Sequence, residues 1–320
     1  MSLFSLHDSR GPSAVIDIAG HRISGVRLEA RGAALALAAH ATEALPDGTL
    51  VPSLTAANVQ NRGGLVRALT RVLEQIGRPK RIGLIVPDPV ARVSLVKFQQ
   101  VPARASELDQ LIRWQMKKTL PFPLEEAQLS YSMAAKSPDG QEVLVSVARR
   151  DIVMEYESVC AEAGAYVGLV DVSTSGVLSG VMATSRGDER DCLVVNMARD
   201  WASLAVLRGG QVALLRSRAS EGGETLADLV HQTTMFYEDR LQGAGFGRVL
   251  LCGAAAADAP NGAEAEGGRR GLEERLGTKV TAVDLAAALT WTDRTAADAA
   301  LMDTLAPAIG LLLRFREVAA

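Results

Sequence analysis

Residues 14–39 read AVIDIAGHRISGVRLEARGAALALAA, and residues 192–217 read CLVVNMARDWASLAVLRGGQVALLRS. In the first stretch, 14–18 is a short apolar strand, 19–22 a turn, 23–30 a second strand, and Gly32 turns the chain into a third at 33–39. The second stretch repeats the unit with strands at 192–197, 201–207 and 212–217 and turns at 198–200 and Arg208-Gly209-Gly210. Asp17 answers to Asn196, and Arg31-Gly32 to Arg208-Gly209. Each meander is followed by helical periodicity and a further strand, 65–76 then 81–86 and 224–241 then 248–252. A repeat this long is not a solenoid unit and predicts two similar halves facing one another.

The first half is interrupted at 87–165 by a separate α+β unit. Its most informative part is 95–133, LVKFQQVPARASELDQLIRWQMKKTLPFPLEEAQLSYSM. A strand ends at Pro102. Ser106 with Asp109 three residues on gives a capping-box-like start, and Glu107 adds negative charge at the positive end of the helix. Leu108, Leu111, Ile112 and Met116 recur at helical spacing, Lys117 and Lys118 suit the last turn, and Pro121 stops the helix at Leu120. Pro121-Phe122-Pro123-Leu124-Glu125-Glu126 is a stiff corner before a strand at 128–133. On physical grounds alone this is an amphipathic helix between two strands.

The wording carries more. A helix with R-W-Q-x-x-K, broken by P-F-P-L-E-E and followed by an alternating strand, resembles the PilM family of type IV pilus assembly proteins. The resemblance continues through 142–150 (EVLVSVARR), a helix at 151–164, and 167–180 (VGLVDVSTSGVLSG). It implies an α/β, actin-like (ribonuclease H-like, duplicated) fold with an inserted α+β subdomain. The implied halves are 1–86, continued by 166–186 and 305–320, and 187–304, with the insertion at 87–165. Between Gly223 and Cys252 there is room for about one helix where the family usually has several, so the second-half insertion is expected to be reduced. A polar connection is expected at 185–190 and a small, polar loop without chemistry at 258–268. A terminal helix is expected at 297–316, kinked or divided at Pro307.

The totals agree with such a protein. Its 320 residues give ample core, and 48% hydrophobic with 22% charged residues is ordinary for a globular chain. A net charge of −3 gives no reason to expect nucleic-acid binding. Aromatics are 4%, so Ala, Val and Leu must build the core. Cys160, Cys192 and Cys252 are far apart in apolar contexts and read as reduced core residues. No leader and no bilayer-length apolar run is legible, which predicts a cytoplasmic protein; the resemblance implies that it reaches the inner membrane through a partner.

Actin-like proteins hold a triphosphate between two hairpin tips, where glycine admits backbone amides and an acid positions a metal ion. In the first tip the family's Asp-Ile-Gly has become Asp17-Ile18-Ala19, with Gly20 and Arg22 as partial compensation and Ser24 where a lysine would stand. In the second it has become Asn196-Met197-Ala198, and Asn serves magnesium less well than Asp. Gly222 and Gly223 sit where the family has Gly-Gly before a helix. Leu251-Cys252-Gly253-Ala254-Ala255 replaces a glycine-rich adenosine loop. The candidate cofactor residues are therefore Asp17, Gly20, Asn196, Gly222, Gly223 and Gly253, for ATP and Mg held weakly or not at all. No residue set reads as catalytic or as a separate metal site.

Other features were weighed beside these. Gly243-Ala244-Gly245-Phe246-Gly247 imitates a dinucleotide loop but follows a helix and precedes a strand, the wrong order. His7, His21, His40 and His231 are scattered. Asp17 and Asp171 either face one cleft or join a buried polar network. Trp114 and Phe122 are either partner anchors or subdomain core.

The resemblance implies a cytoplasmic scaffold that docks the amino-terminal tail of a PilN-like inner-membrane protein and links it to the motor of a type IV pilus. The tail is expected between the first-half core and the insertion, near 90–98 and 108–116, with Phe98, Leu108, Ile112 and Trp114 as candidate contacts. The alternatives are a working actin-like ATPase and the cytoplasmic part of a type II secretion platform protein.

Overall fold

A computed structural model describes residues 4–5, 11–31, 34–137, 140–185, 190–219, 226–254, 263–290 and 298–317. The chain groups into two compact units, 1–27 with 39–172 and 28–38 with 173–320. The sequence reading placed 173–186 and 305–320 with the first half, whereas packing groups them with the second.

The first meander is β2 (Ala14–Ile18), β3 (Arg22–Arg31) and β4 (Ala34–Ala44). Helix α1 (Arg62–Gln75) leads to β5 (Arg81–Val86), and β9 (Tyr166–Val172) returns after the insertion. With β1 (Phe4–Ser5) on its edge, the sheet runs β1-β9-β5-β2-β3-β4. Strands β2, β5 and β9 are parallel neighbours. One face is covered by α1 and by α3 (Arg150–Glu162). Ile16, Ile18, Leu84, Val170 and Val172 meet Leu65, Leu69 and Val72 of α1 and Ile152, Tyr156 and Val159 of α3. Each such buried side chain contributes roughly 1.5–3 kcal/mol.

Helix α1 starts three residues before the periodicity predicts. Gly63 and Gly64 are poor helix formers, but the Asn61 side chain accepts from the Gly64 amide at 2.9 Å and caps that first turn. Asn58 is fully buried and ties the segment before α1 to α3. Its Oδ1 accepts from Tyr156 Oη at 3.0 Å and from the Ser53 amide at 3.0 Å. Its Nδ2 donates to the carbonyls of Ser53 and Ala56. Glu155 Oε2 accepts from the Asn58 and Val59 amides at 2.8 and 3.1 Å.

The insertion contains β6 (Ala91–Phe98), α2 (Ala105–Lys117), β7 (Ala127–Ser137) and β8 (Gly140–Arg149). Its antiparallel sheet runs β6-β8-β7, so β6 and β7 are its edges. Leu108, Ile112 and Met116 of α2 pack on Val143, Val145 and Val147 of β8. The capping box expected at Ser106 is not formed. The helix begins two residues earlier, with Arg104 instead of Ser106 at the cap position and no side-chain cap bond. Asp109 is turned to Arg113, 2.7 Å away, an i,i+4 pair that competes for its carboxylate.

The second unit repeats the plan. Strands β10 (Cys192–Met197), β11 (Trp201–Arg208) and β12 (Gln211–Ala219) form its meander. Helix α5 (Leu226–Leu241), β13 (Arg248–Cys252), helix α6 (Ala263–Leu276) and β14 (Val280–Ala282) follow. The sheet order is β12-β11-β10-β13-β14, which maps strand for strand onto β4-β3-β2-β5-β9. Among the described residues α5 is the helix between β12 and β13, so the insertion expected to be reduced is small.

One expectation fails here, and a second is narrowed. Residues 263–268 are helical, the start of α6, because Ala-Glu-Ala-Glu is strong helix-forming sequence despite its small, polar look; residues 258–262 lie outside the described residues. The terminal helix α7 (Ala299–Glu317) is assigned as one helix through Pro307. A proline leaves the carbonyl four residues back without its usual donor. That carbonyl belongs to Asp303, and it accepts from Cys252 Sγ at 3.7 Å.

Helix α7 packs on α4 (Ser173–Thr184) almost backbone to backbone. A Cβ on Gly310 would lie 2.0 Å from the Gly176 carbonyl oxygen, and one on Gly180 would meet Leu285 Cδ1 at 2.6 Å.

Candidate functional site

Asp17 lies near the end of β2, where the apolar alternation Ala14, Ile16, Ile18 sends its side chain to the sheet face opposite the α1–α3 core. It pairs in register with Ile85 of β5, which pairs with Asp171 of β9. The two aspartates therefore share a row and a face with one strand between them, roughly 10 Å apart along the sheet. Both are buried. Asp171 Oδ1 accepts from the Val172 amide at 2.8 Å. Asp17 Oδ2 is 3.4 Å from Arg22 Nη2 across the hairpin. Burial raises the Asp17 carboxyl to about 6, against the pull of Arg22 and with a smaller push from the charge of Asp88. Asp88, buried in a short turn after β5, is a member of this acidic end that sequence reading missed. Its position just past a parallel strand's carboxyl end was the available signal.

The first tip is closed on itself. The Ala19 amide donates to the Arg22 carbonyl at 2.9 Å, and half-buried Gly20 lies inside that turn. His21 is half-buried there, with its carbonyl accepting from the Leu45 amide at 2.7 Å.

The second tip has the same closure, Ala198 amide to Trp201 carbonyl at 2.8 Å. Asn196 is buried, and its Nδ2 donates to Ser173 Oγ at 3.1 Å and Thr174 Oγ1 at 2.9 Å, at the start of α4. In the register of parallel strands, Asn196 pairs with Cys252. Gly253 follows with φ +87°, and a Cβ there would fall 1.8 Å from the Met197 carbonyl oxygen. Only glycine fits a positive φ at that approach. Its amide donates to Asp303 Oδ1 at 2.7 Å, from α7. A carboxylate of the protein thus accepts a donor of the kind that phosphate would need.

A second pair of equivalences was not legible beforehand. Ser24 stands opposite Asp17 and Ser203 opposite Asn196. Both serines are fully buried. Ser24 Oγ accepts from Thr42 Oγ1 at 3.3 Å, and Ser203 Oγ donates to Ser217 Oγ at 2.8 Å. Each half therefore carries a polar pair between the second and third strands of its meander. Ser24 serves this pair where a lysine was looked for.

Gly222 and Gly223 lie outside the described residues. The Ala19 and Ala198 amides are committed within their own turns, and among the described residues no cluster of three or more His, Cys, Asp or Glu is arranged to hold a metal ion.

The candidate partner contacts divide. Phe98, Leu108 and Ile112 lie in the core of the inserted subdomain, and Phe122 packs against it. Trp114 is 58% exposed on α2, with Lys118 Nζ 4.4 Å from its ring centre. The Gly243–Gly247 stretch is a connection from α5 to β13, held by Tyr237, whose Oη donates to the Gly245 carbonyl at 3.0 Å. His40 and His231 are exposed, and His7 lies outside the described residues.

A family model described as type IV pilus assembly protein PilM matches residues 15–242. The chain belongs to the PilM family. The fold is that of a solved PilM–PilN type IV pilus biogenesis complex, with TM-score 0.76, 18% identity, and 97% of this chain and 99% of that one covered. A Bacteroides thetaiotaomicron protein with an actin-like ATPase fold and unknown function aligns with TM-score 0.50 and 11% identity, over 95% and 96% of the two chains. The duplicated sheet order of this PilM-family chain is thus the actin-like one. Among its described residues no helix is long and apolar enough to cross a membrane.

Proposed function

We propose that this chain is a scaffold of a type IV pilus assembly platform. On this reading it docks the amino-terminal cytoplasmic tail of a PilN-like inner-membrane protein and binds ATP weakly or not at all. The observation that carries the docking half is family membership over residues 15–242, a span that includes the whole inserted subdomain. The inserted sheet presents two edge strands, and Trp114 on α2 of the same subdomain is an exposed aromatic. The nucleotide half rests on the Gly253 amide held by Asp303 and on Asn196 held by two hydroxyls. Association with the inner membrane and with motor components follows from the partner on this reading.

Two titrations test it. A synthetic peptide of the PilN-like protein's first residues should bind the purified chain, and Trp114→Ala should weaken it by roughly 30-fold, the effect of losing an aromatic hot spot. Absence of peptide binding would sink the scaffold reading. Mg-ATP should give neither heat nor thermal shift at millimolar concentration. Micromolar binding abolished by Asp17→Ala would instead make the chain a nucleotide switch.

A further inference from the structure

Strand β1 pairs antiparallel with the outer edge of β9, Phe4 opposite Val170 and Ser5 opposite Leu169. It also lies against β7 of the inserted subdomain, within the first unit. Residues 4–5 therefore lie between the core sheet and the insertion, the region to which the docking reading assigns an extended peptide. Among the described residues it covers two of the seven residues of β9, and Tyr166 near the start of that strand is exposed. Two residues supply few ladder bonds, whereas a longer peptide could pair along the rest of the edge.

We infer that β1 is an exchangeable strand, which occupies in cis the β9 edge that the partner's extended tail takes in trans. The site assignment rests on the docking reading above; the exchange of β1 does not. A tethered segment meets its site at an effective concentration of about 1 mM. With an intrinsic dissociation constant tenfold lower, it occupies the edge about nine-tenths of the time and weakens a competitor about tenfold. Partner docking would then require release of the amino-terminal segment.

The test uses the full chain with Phe4→Pro and Ser5→Pro together. Proline has no amide hydrogen, so neither position can donate to β9 whichever one does so now. The probe is a fluorescent peptide of residues 1–10, MSLFSLHDSR. It should bind the doubly substituted chain about tenfold more tightly than the unaltered one, and the unlabelled PilN-like tail peptide should displace it. Equal binding of the probe to both chains, or to neither, overturns the exchange. If the probe distinguishes them but the tail binds both equally without displacing it, the shared site is overturned. If the tail binds neither chain while the probe still distinguishes them, the docking reading fails and the exchangeable strand stands. Matching thermal melts of the two chains show that the prolines act only at β1.

Discussion

Asp17 is held in the protein as an acid reluctant to ionise. Its carboxyl titrates near 6 in the folded protein against 3.8 as the reference, mainly because it is buried. A raised carboxyl pKa means that the folded state binds more protons than the unfolded chain between these two values. The contribution of this group to stability is therefore present at low pH and lost as pH rises through about 6. Wild type minus Asp17→Asn, measured by denaturant unfolding, should fall by about 3 kcal/mol between pH 3 and pH 7. A flat difference would mean that Arg22 offsets burial entirely. The sequence placed Asp17 near the tip and set Asp171 beside it, but the rest of its environment was not legible, because Asp88 is contributed by a distant part of the chain.

Elements were legible where periodicity was strong and hidden where a side-chain bond set the boundary. Both meanders, α3, α5 and β13 stand where alternation or helical spacing placed them. The starts of α1 and α2 were shifted by Asn61 and by the Asp109–Arg113 pair. The Asn58 knot left no periodic signal, since a single polar residue in a loop does not announce its burial. Asn58→Ala would remove the side-chain partner of the Tyr156 hydroxyl, the Ser53 amide and the Ser53 and Ala56 carbonyls, while Glu155 keeps its two backbone amides, and should lower stability by about 2–4 kcal/mol in thermal or urea unfolding. At the α4–α7 crossing two effects oppose. Gly310→Ala gains about 1 kcal/mol of helix propensity, but overpacking against the Gly176 carbonyl costs about 3 kcal/mol. The net loss should be about 2 kcal/mol by the same measurement. A stabilised variant would show that the two helices separate freely.

The molecule as a whole is one plan executed twice, with matching strand order in the two sheets. The three thiols report on it. Cys160 is buried in the first unit, and Cys192 and Cys252 in the second. Burial pushes the Cys160 thiol up to about 12, with help from Glu157. No thiol should react quickly with an aromatic disulfide reagent at pH 8, and labelling should appear only as a unit opens. A fast-reacting thiol in the native protein would contradict this packing. The duplication has a further consequence for recognising related chains. The buried serine opposite Asp17 in one unit and opposite Asn196 in the other is bonded in each to the third strand of its own meander. A hydroxyl pair at the same place in both sheets is a signature by which the duplication itself can be sought in other chains, whatever residues their hairpin tips carry.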